Sequence, residues 1–169
     1  MILIQAKITS IKPKHRQDSG GKYYNLALSA YKKGNVGDRI DAIAYLAYCL
    51  HYIQDAGELH HAANLRVYIT DDANNHAGFE QLASQILLNE NLADEIDWEH
   101  DSEFYSARLT QSIGDFVHEI ASFSKPLANL ASNKENITGQ RLAATLTLTA
   151  TIQNTAGVLY KFAKEAKMI

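Results

Sequence analysis

Across residues 22–33, Tyr24, Leu28 and Tyr31 recur at i, i+4 and i+7 and Gly34 follows, which predicts a helix with one apolar stripe and a glycine stop. A second helix is expected from an Asp38 cap through Ala56, with Ile43, Ala47 and Leu50 on one apolar face and Tyr45, Cys49 and Tyr52 widening it. Being hydrophobic nearly all round, it should be central, and Gly57 should end it. Residues 58–73 show no period. Asn74 or Asn75 would cap a third helix through Asn89, with Phe79, Leu82, Ile86 and Leu87 inside. A fourth is expected over Ser102–Phe123, burying Phe104, Leu109, Ile113, Phe116 and Ile120, before Pro126 breaks the path. The last should span Thr138–Lys167 on Leu142, Leu146, Thr149, Ile152, Ala156, Leu159 and Phe162. Its many Thr residues are weak helix formers, so tertiary packing must hold it. Residues 1–11 fit both a strand alternation (Ile4, Ala6, Ile8) and a helical stripe (Ile4, Ile8, Ile11), while the polar run at 12–21 reads as a loop.

Neither a repeat nor a low-complexity tract nor a linker divides the chain, so the pattern predicts one all-α, single-domain helical bundle over residues 1–169. With 46% apolar and 21% charged residues, the composition is globular rather than disordered or fibrous. A chain this long can bury roughly two-thirds of its unfolded surface, so the core needs no metal or disulfide as a staple, and a metal site would serve chemistry. The formal charge of −3, with basic residues dispersed except at Lys12, Lys14, His15 and Arg16, argues against a dedicated nucleic-acid groove. Cys49, alone in an apolar run, reads as a buried small hydrophobe. The apolar stretch from Ile40 to Leu50 contains Asp41 and falls far short of the roughly 20 residues of a membrane span. The N-terminus lacks the pattern of a signal peptide, and localisation stays open.

The chemistry-bearing residues concentrate between 51 and 80. His51 and Asp55 stand at i and i+4, as do His76 and Glu80, so each pair projects from one face of a helix about one turn apart. His61 lies just beyond Gly57, where a turn can fold it back toward either pair. An imidazole nitrogen and a carboxylate oxygen so presented can both reach one ion at about 2.0–2.2 Å, and a donor from another element closes the site. Imidazole and carboxylate without thiolate suit zinc, and also iron, manganese or cobalt. His60 cannot easily face the same ion as His61 and is expected to be an outer group or a surface residue. His15 reads as a solvated loop residue, His100 as a surface residue and His118 as a helix-packing one. Asp71 and Asp72 form an acidic loop tip, Trp98 is a lipid-facing or packing residue, and Tyr45, Tyr48 and Tyr52 read as amphipathic core.

The stretch LHYIQDAGELHHAAN, Leu50–Asn64, resembles the HYxGDxxxPxHxAN signature of bacterial zinc-dependent phospholipases C, and HAGFE, His76–Glu80, resembles the HxxxE that follows it. The resemblance extends upstream through KYYNLALSAYKKGN and downstream through TGQRLAATLTLTATIQNTAGVLY, covering about residues 22–165. The single-strand-specific fungal nucleases share the HxxxDxxxxxH part, but their second pair ends in Asp. The resemblance implies a phosphodiester hydrolase of the phospholipase C type, with His51, Asp55, His61, His76 and Glu80 as zinc ligands and Asp55 as the catalytic bridging carboxylate. His61, His76 and Glu80 would hold one zinc, and His51 and Asp55 would serve two more. Leu59 and His60 displace the family's Pro, and Gln54 replaces its Gly. The family's remaining ligands correspond to positions before Met1. A catalytically impaired metal-binding or interaction protein of the same descent, a homodimer, and a nuclease-type phosphodiesterase are the other expectations; phospholipid is favoured over single-stranded nucleic acid as substrate.

Overall fold

Gly34, at φ +87°, turns the chain between α1 (Pro13–Lys33) and α2 (Val36–Gly57), and the two helices pair along their length. Tyr23 of α1 stacks on Tyr45, Tyr48 and Tyr52 of α2 at centroid separations of 5.1–6.4 Å, and the Arg39 guanidinium lies over the Tyr31 ring, so the pair is antiparallel. The structure, a computed structural model, describes residues 13–65, 75–95 and 102–169. After α2 come α3 (Leu59–Ala62), α4 (His76–Asn89), a 3-10 turn at Leu92–Glu95, α5 (Ser102–Arg108), α6 (Ile113–Ser124), a second 3-10 turn at Lys125–Leu127, α7 (Ala128–Ser132) and α8 (Ile137–Glu165). There is no strand among the described residues, so the expected all-α bundle is the observed architecture. No described helix is long and apolar enough to cross a membrane.

Two apolar clusters share α8. Tyr24 and Ala27 of α1, Cys49 and Ile53 of α2, Phe116 and Ile120 of α6 and Val158 and Phe162 of α8 form the first. Leu59 of α3, Phe79 and Ile86 of α4, Ala131 of α7 and Ala143 and Ala144 of α8 form the second. Cys49 is fully buried, as expected, and burial pushes its thiol up to about 12. Ala56 belongs to the first cluster and Leu59 to the second, so the corner between α2 and α3 is the seam where they meet. The histidines converge there.

Several sequence expectations are corrected. The run at 12–21 is helical from Pro13, and Gly20 serves close packing rather than a turn: a Cβ there would sit 3.3 Å from Ile113 Cγ2 and 3.6 Å from Tyr52 Cβ. Asn35, not Asp38, caps α2, its side chain accepting from the Asp38 N–H at 2.9 Å. Helix α2 is central but rotated from the expected face: Ala42, Cys49, Ile53 and Ala56 are buried, whereas Ile43 is 70% exposed and Ala47 and Tyr48 are exposed too. In α8 Phe162 is buried as expected, but the rest of the buried row includes Ala143, Ala144, Thr147, Gly157 and Val158, while Leu142, Leu146 and Leu159 face outward. Small residues let helices approach closely. Leu87 is likewise exposed on α4. The single helix expected over Ser102–Phe123 is two, because Ser112 and Asp115 exchange hydrogen bonds in a capping box that starts α6 afresh. His118 is exposed rather than packed, and His15 lies in α1 rather than a loop. Residues 1–11, Asp71, Asp72, Trp98 and His100 lie outside the described residues.

Candidate metal centre

Helix α2 runs far enough to place His51, Asp55 and Glu58 on successive turns of one face, and its last residue decides how the chain leaves. Glu58 ends α2 through its backbone N–H to Gln54 O, then caps α3 through its side chain, Oε2 accepting from the His61 N–H at 2.6 Å. This corner folds His61 back toward Asp55, as the sequence suggested. Asn64, at φ 54°, ends the short helix in a left-handed conformation that Asn tolerates.

The opposite wall is the start of α4. Asn75 adopts φ 53° and makes no side-chain cap; its amide instead donates to Ala131 O at 3.1 Å and Gln140 Oε1 at 3.0 Å, anchoring the first turn of α4 to α7 and α8. That anchor fixes His76 and Glu80 against Glu58. Asn75→Ala is expected to destabilise the fold by about 1–2 kcal/mol, from a buried polar pairing and a left-handed backbone. Asn75→Gly should recover the backbone share in urea unfolding; equal losses for both would show that the conformation contributes nothing.

All five sequence-predicted residues are brought into one chain of contacts. His51 Nε2 stands 3.7 Å from Asp55 Oδ2, and Asp55 Oδ1 stands 3.6 Å from His61 Nδ1. His61 Nδ1 and His76 Nε2 each stand 3.8 Å from Glu58 Oε2, and His76 Nε2 stands 3.6 Å from Glu80 Oε1. These separations exceed normal hydrogen bonds. Two donors bound tetrahedrally to one ion at about 2.1 Å lie roughly 3.4 Å apart, close to what is seen. The donor set therefore fits a borderline divalent ion such as zinc. His51 and Glu80 are about half exposed, at 49% and 52%, whereas Asp55, Glu58 and His76 are largely enclosed, so the cluster has one open side.

Sequence reasoning missed Glu58. Its signal was available: it lies three residues from both Asp55 and His61, at a helix end where an acidic cap is favourable. Burial pushes its carboxyl up, but the His60 hydrogen bond and the charge of His61, with the His61 N–H and the charge of His60, outweigh that and hold it down to about 2. His60 is fully buried, which removes the surface alternative for it. Its Nδ1 lies 2.9 Å from Glu58 Oε1, and its ring packs edge-on against His76 at 4.9 Å and tilted against Phe79 at 5.7 Å. Among the described residues, Glu58, His60 and His76 are the group whose donor atoms, one from each, all lie within 4.8 Å of one another; the other pairs link only in sequence along the chain of contacts. The 2.9 Å contact is a hydrogen-bond length, however, and favours His60 as the residue that orients Glu58. Beside Glu58, an apolar cleft of about 600 Å³ opens between the end of α2, α4 and α8, with Phe79, Leu87, Leu148, Ile152 and Leu159 in its walls.

Comparison with known proteins adds one relative. No family model matches the chain, and no curated protein matches it significantly. Among solved structures, it is similar to the alpha-toxin of Clostridium perfringens from avian strain SWCP, with a TM-score of 0.73 and 25% identity over 90% of this chain. The match covers 41% of the toxin chain, so the protein spans about two-fifths of that relative's length.

Proposed function

We propose that this chain, which has the helical fold of the bacterial phospholipases C that its histidine-rich stretch resembles, is a metal-dependent phosphodiester hydrolase of the phospholipase C type. The observation that carries the reading is the ligand-like spacing of 3.6–3.8 Å linking His51, Asp55, His61, Glu58, His76 and Glu80. His61, His76 and Glu80 would hold one zinc, and His51 and Asp55 would serve its neighbours. Bound zinc supplies polarisation of phosphoryl oxygens and a water acidified toward neutral pKa.

The protein's own residues do the positioning. Asp55 turns Oδ2 toward His51 and Oδ1 toward His61, so one carboxylate stands between two donor groups. The diester would enter on the exposed side of His51 and Glu80, since Glu58 and His60 close the inner side. The apolar cleft next to Glu58 would take the hydrophobic part of a lipid ester, and the dispersal of the basic residues outside residues 12–16, with a net charge of −3, disfavours single-stranded nucleic acid.

Elemental analysis of the purified protein, with hydrolysis of a phosphocholine ester and of single-stranded DNA, tests the reading. Bound zinc and turnover of the phosphocholine ester are expected. Turnover of DNA alone would move the chain to the nuclease-type reading. One metal or none with no turnover of either would leave a metal-binding or interaction protein.

A further inference from the structure

We propose that Glu58 is a fourth protein ligand of the ion held by His61, His76 and Glu80, bound through Oε2, and that His60 is the positioning residue that fixes it through Oε1. The proposal deepens the metal-centre reading above and rests on it. Glu58 Oε2 is equidistant, at 3.8 Å, from His61 Nδ1 and His76 Nε2, which is the spacing the other donor pairs show.

Capping α3 does not exhaust this oxygen. Each carboxylate oxygen has two lone pairs, so Oε2 can accept the His61 N–H and still bind a cation. The other oxygen, Oε1, is taken by His60 Nδ1 at 2.9 Å in a fully buried pocket, and that bond fixes the plane of the carboxylate. Ligating groups are commonly oriented by such outer partners, whose loss weakens metal binding by about 10- to 100-fold.

Drawn onto one ion, two imidazoles and two carboxylates would make a closed four-donor set that neutralises a divalent charge. Closed sets are the mark of structural sites, whereas catalytic zinc keeps an open position. This ion then braces the corner between α3 and α4, and presenting a water falls to the side of His51 and Asp55.

Zinc alone, titrated calorimetrically into the chelator-stripped full chain, is the probe. Glu58→Gln keeps an oxygen for the His61 N–H but loses the charge. Its metal-free form should melt below the metal-free parent, because the charge that His60 and His61 favour is gone, and at a temperature where both are folded it should bind zinc about 100-fold more weakly. His60→Ala should lose about tenfold, and His60→Asn, which keeps a donor near the Nδ1 position, should restore it. Cobalt substitution reads the geometry independently of any variant: intense four-coordinate visible bands are expected from the parent, and weak five- or six-coordinate bands would overturn the proposal. Equal zinc affinity in Glu58→Gln would overturn it too while leaving the phosphodiesterase reading intact. A parent that binds no zinc would overturn both, and zinc binding without ester turnover would remove only the hydrolase reading.

Discussion

Replacing His61 and His76 together by alanine is expected to abolish zinc binding at the site they share and, with it, hydrolysis of the phosphocholine ester. Both nitrogens face Glu58 Oε2 at 3.8 Å, and each stands 3.6 Å from a further carboxylate, Asp55 or Glu80, so the double change removes the two shared members of the chain of donors. A ligand present at a hundred to a thousand times its Kd stabilises the folded state by about 2.7–4.1 kcal/mol. In a domain of this size that is a melting shift of roughly 5–16 °C. Zinc should raise the melting temperature of the parent by that order and leave the double variant unmoved, with chelator erasing the difference. The metal-free forms should melt close together, because neither histidine is in the apolar core clusters. If zinc content and melting temperature are the same in both proteins, the site is not where these residues place it.

What the sequence disclosed and what it hid follow from the same physics. His51 with Asp55 and His76 with Glu80 were legible because helical spacing fixes which side chains share a face, whatever the helix packs against. Which face is buried is a different matter. Ile43 and Leu142 weigh heavily in the periodic signal of α2 and α8, yet both are exposed, while Ala42, Ala56, Gly57, Ala143, Ala144 and Gly157 are buried beside Ile53, Val158 and Phe162. A small residue contributes little to a hydrophobic pattern and a great deal to how closely two backbones approach. Gly20 was misread for that reason: paired glycine signals a turn locally, but its use here is set by Ile113, far away in the chain. Glu58 was passed over although its spacing to Asp55 and His61 was local; what no local spacing encodes is the arrival of His76 from α4 at 3.8 Å from its Oε2.

Gly57→Ala provides a test of how closely α2 must approach α8 for the site to form. Gly57 is helical and fully buried, and on propensity alone alanine would gain up to about 1 kcal/mol. The neighbourhood argues the other way. A Cβ at Gly57 would lie 2.0 Å from Thr151 Oγ1 and 3.2 Å from Thr151 Cβ. Rotating the hydroxyl aside would break its 2.6 Å bond to Thr147 O, and the Thr151 Cβ cannot rotate away. Overpacking of this kind costs about 1–3 kcal/mol, and with the lost hydroxyl bond the upper end is expected, so the clash outweighs propensity. The variant should melt roughly 5–10 °C lower. Because Gly57 directly precedes Glu58, a displaced end of α2 should also weaken zinc binding, although no ligand has been changed. Thr151→Ala removes the hydroxyl and methyl and leaves only the 3.2 Å contact, so the double variant should recover most of the loss, with a coupling of about 1–2 kcal/mol in a double-mutant cycle. A Gly57→Ala protein as stable as its parent, with unchanged zinc affinity, would mean that α2 and α8 can separate without consequence and that the corner carrying Glu58 is held by α3 and α4 alone.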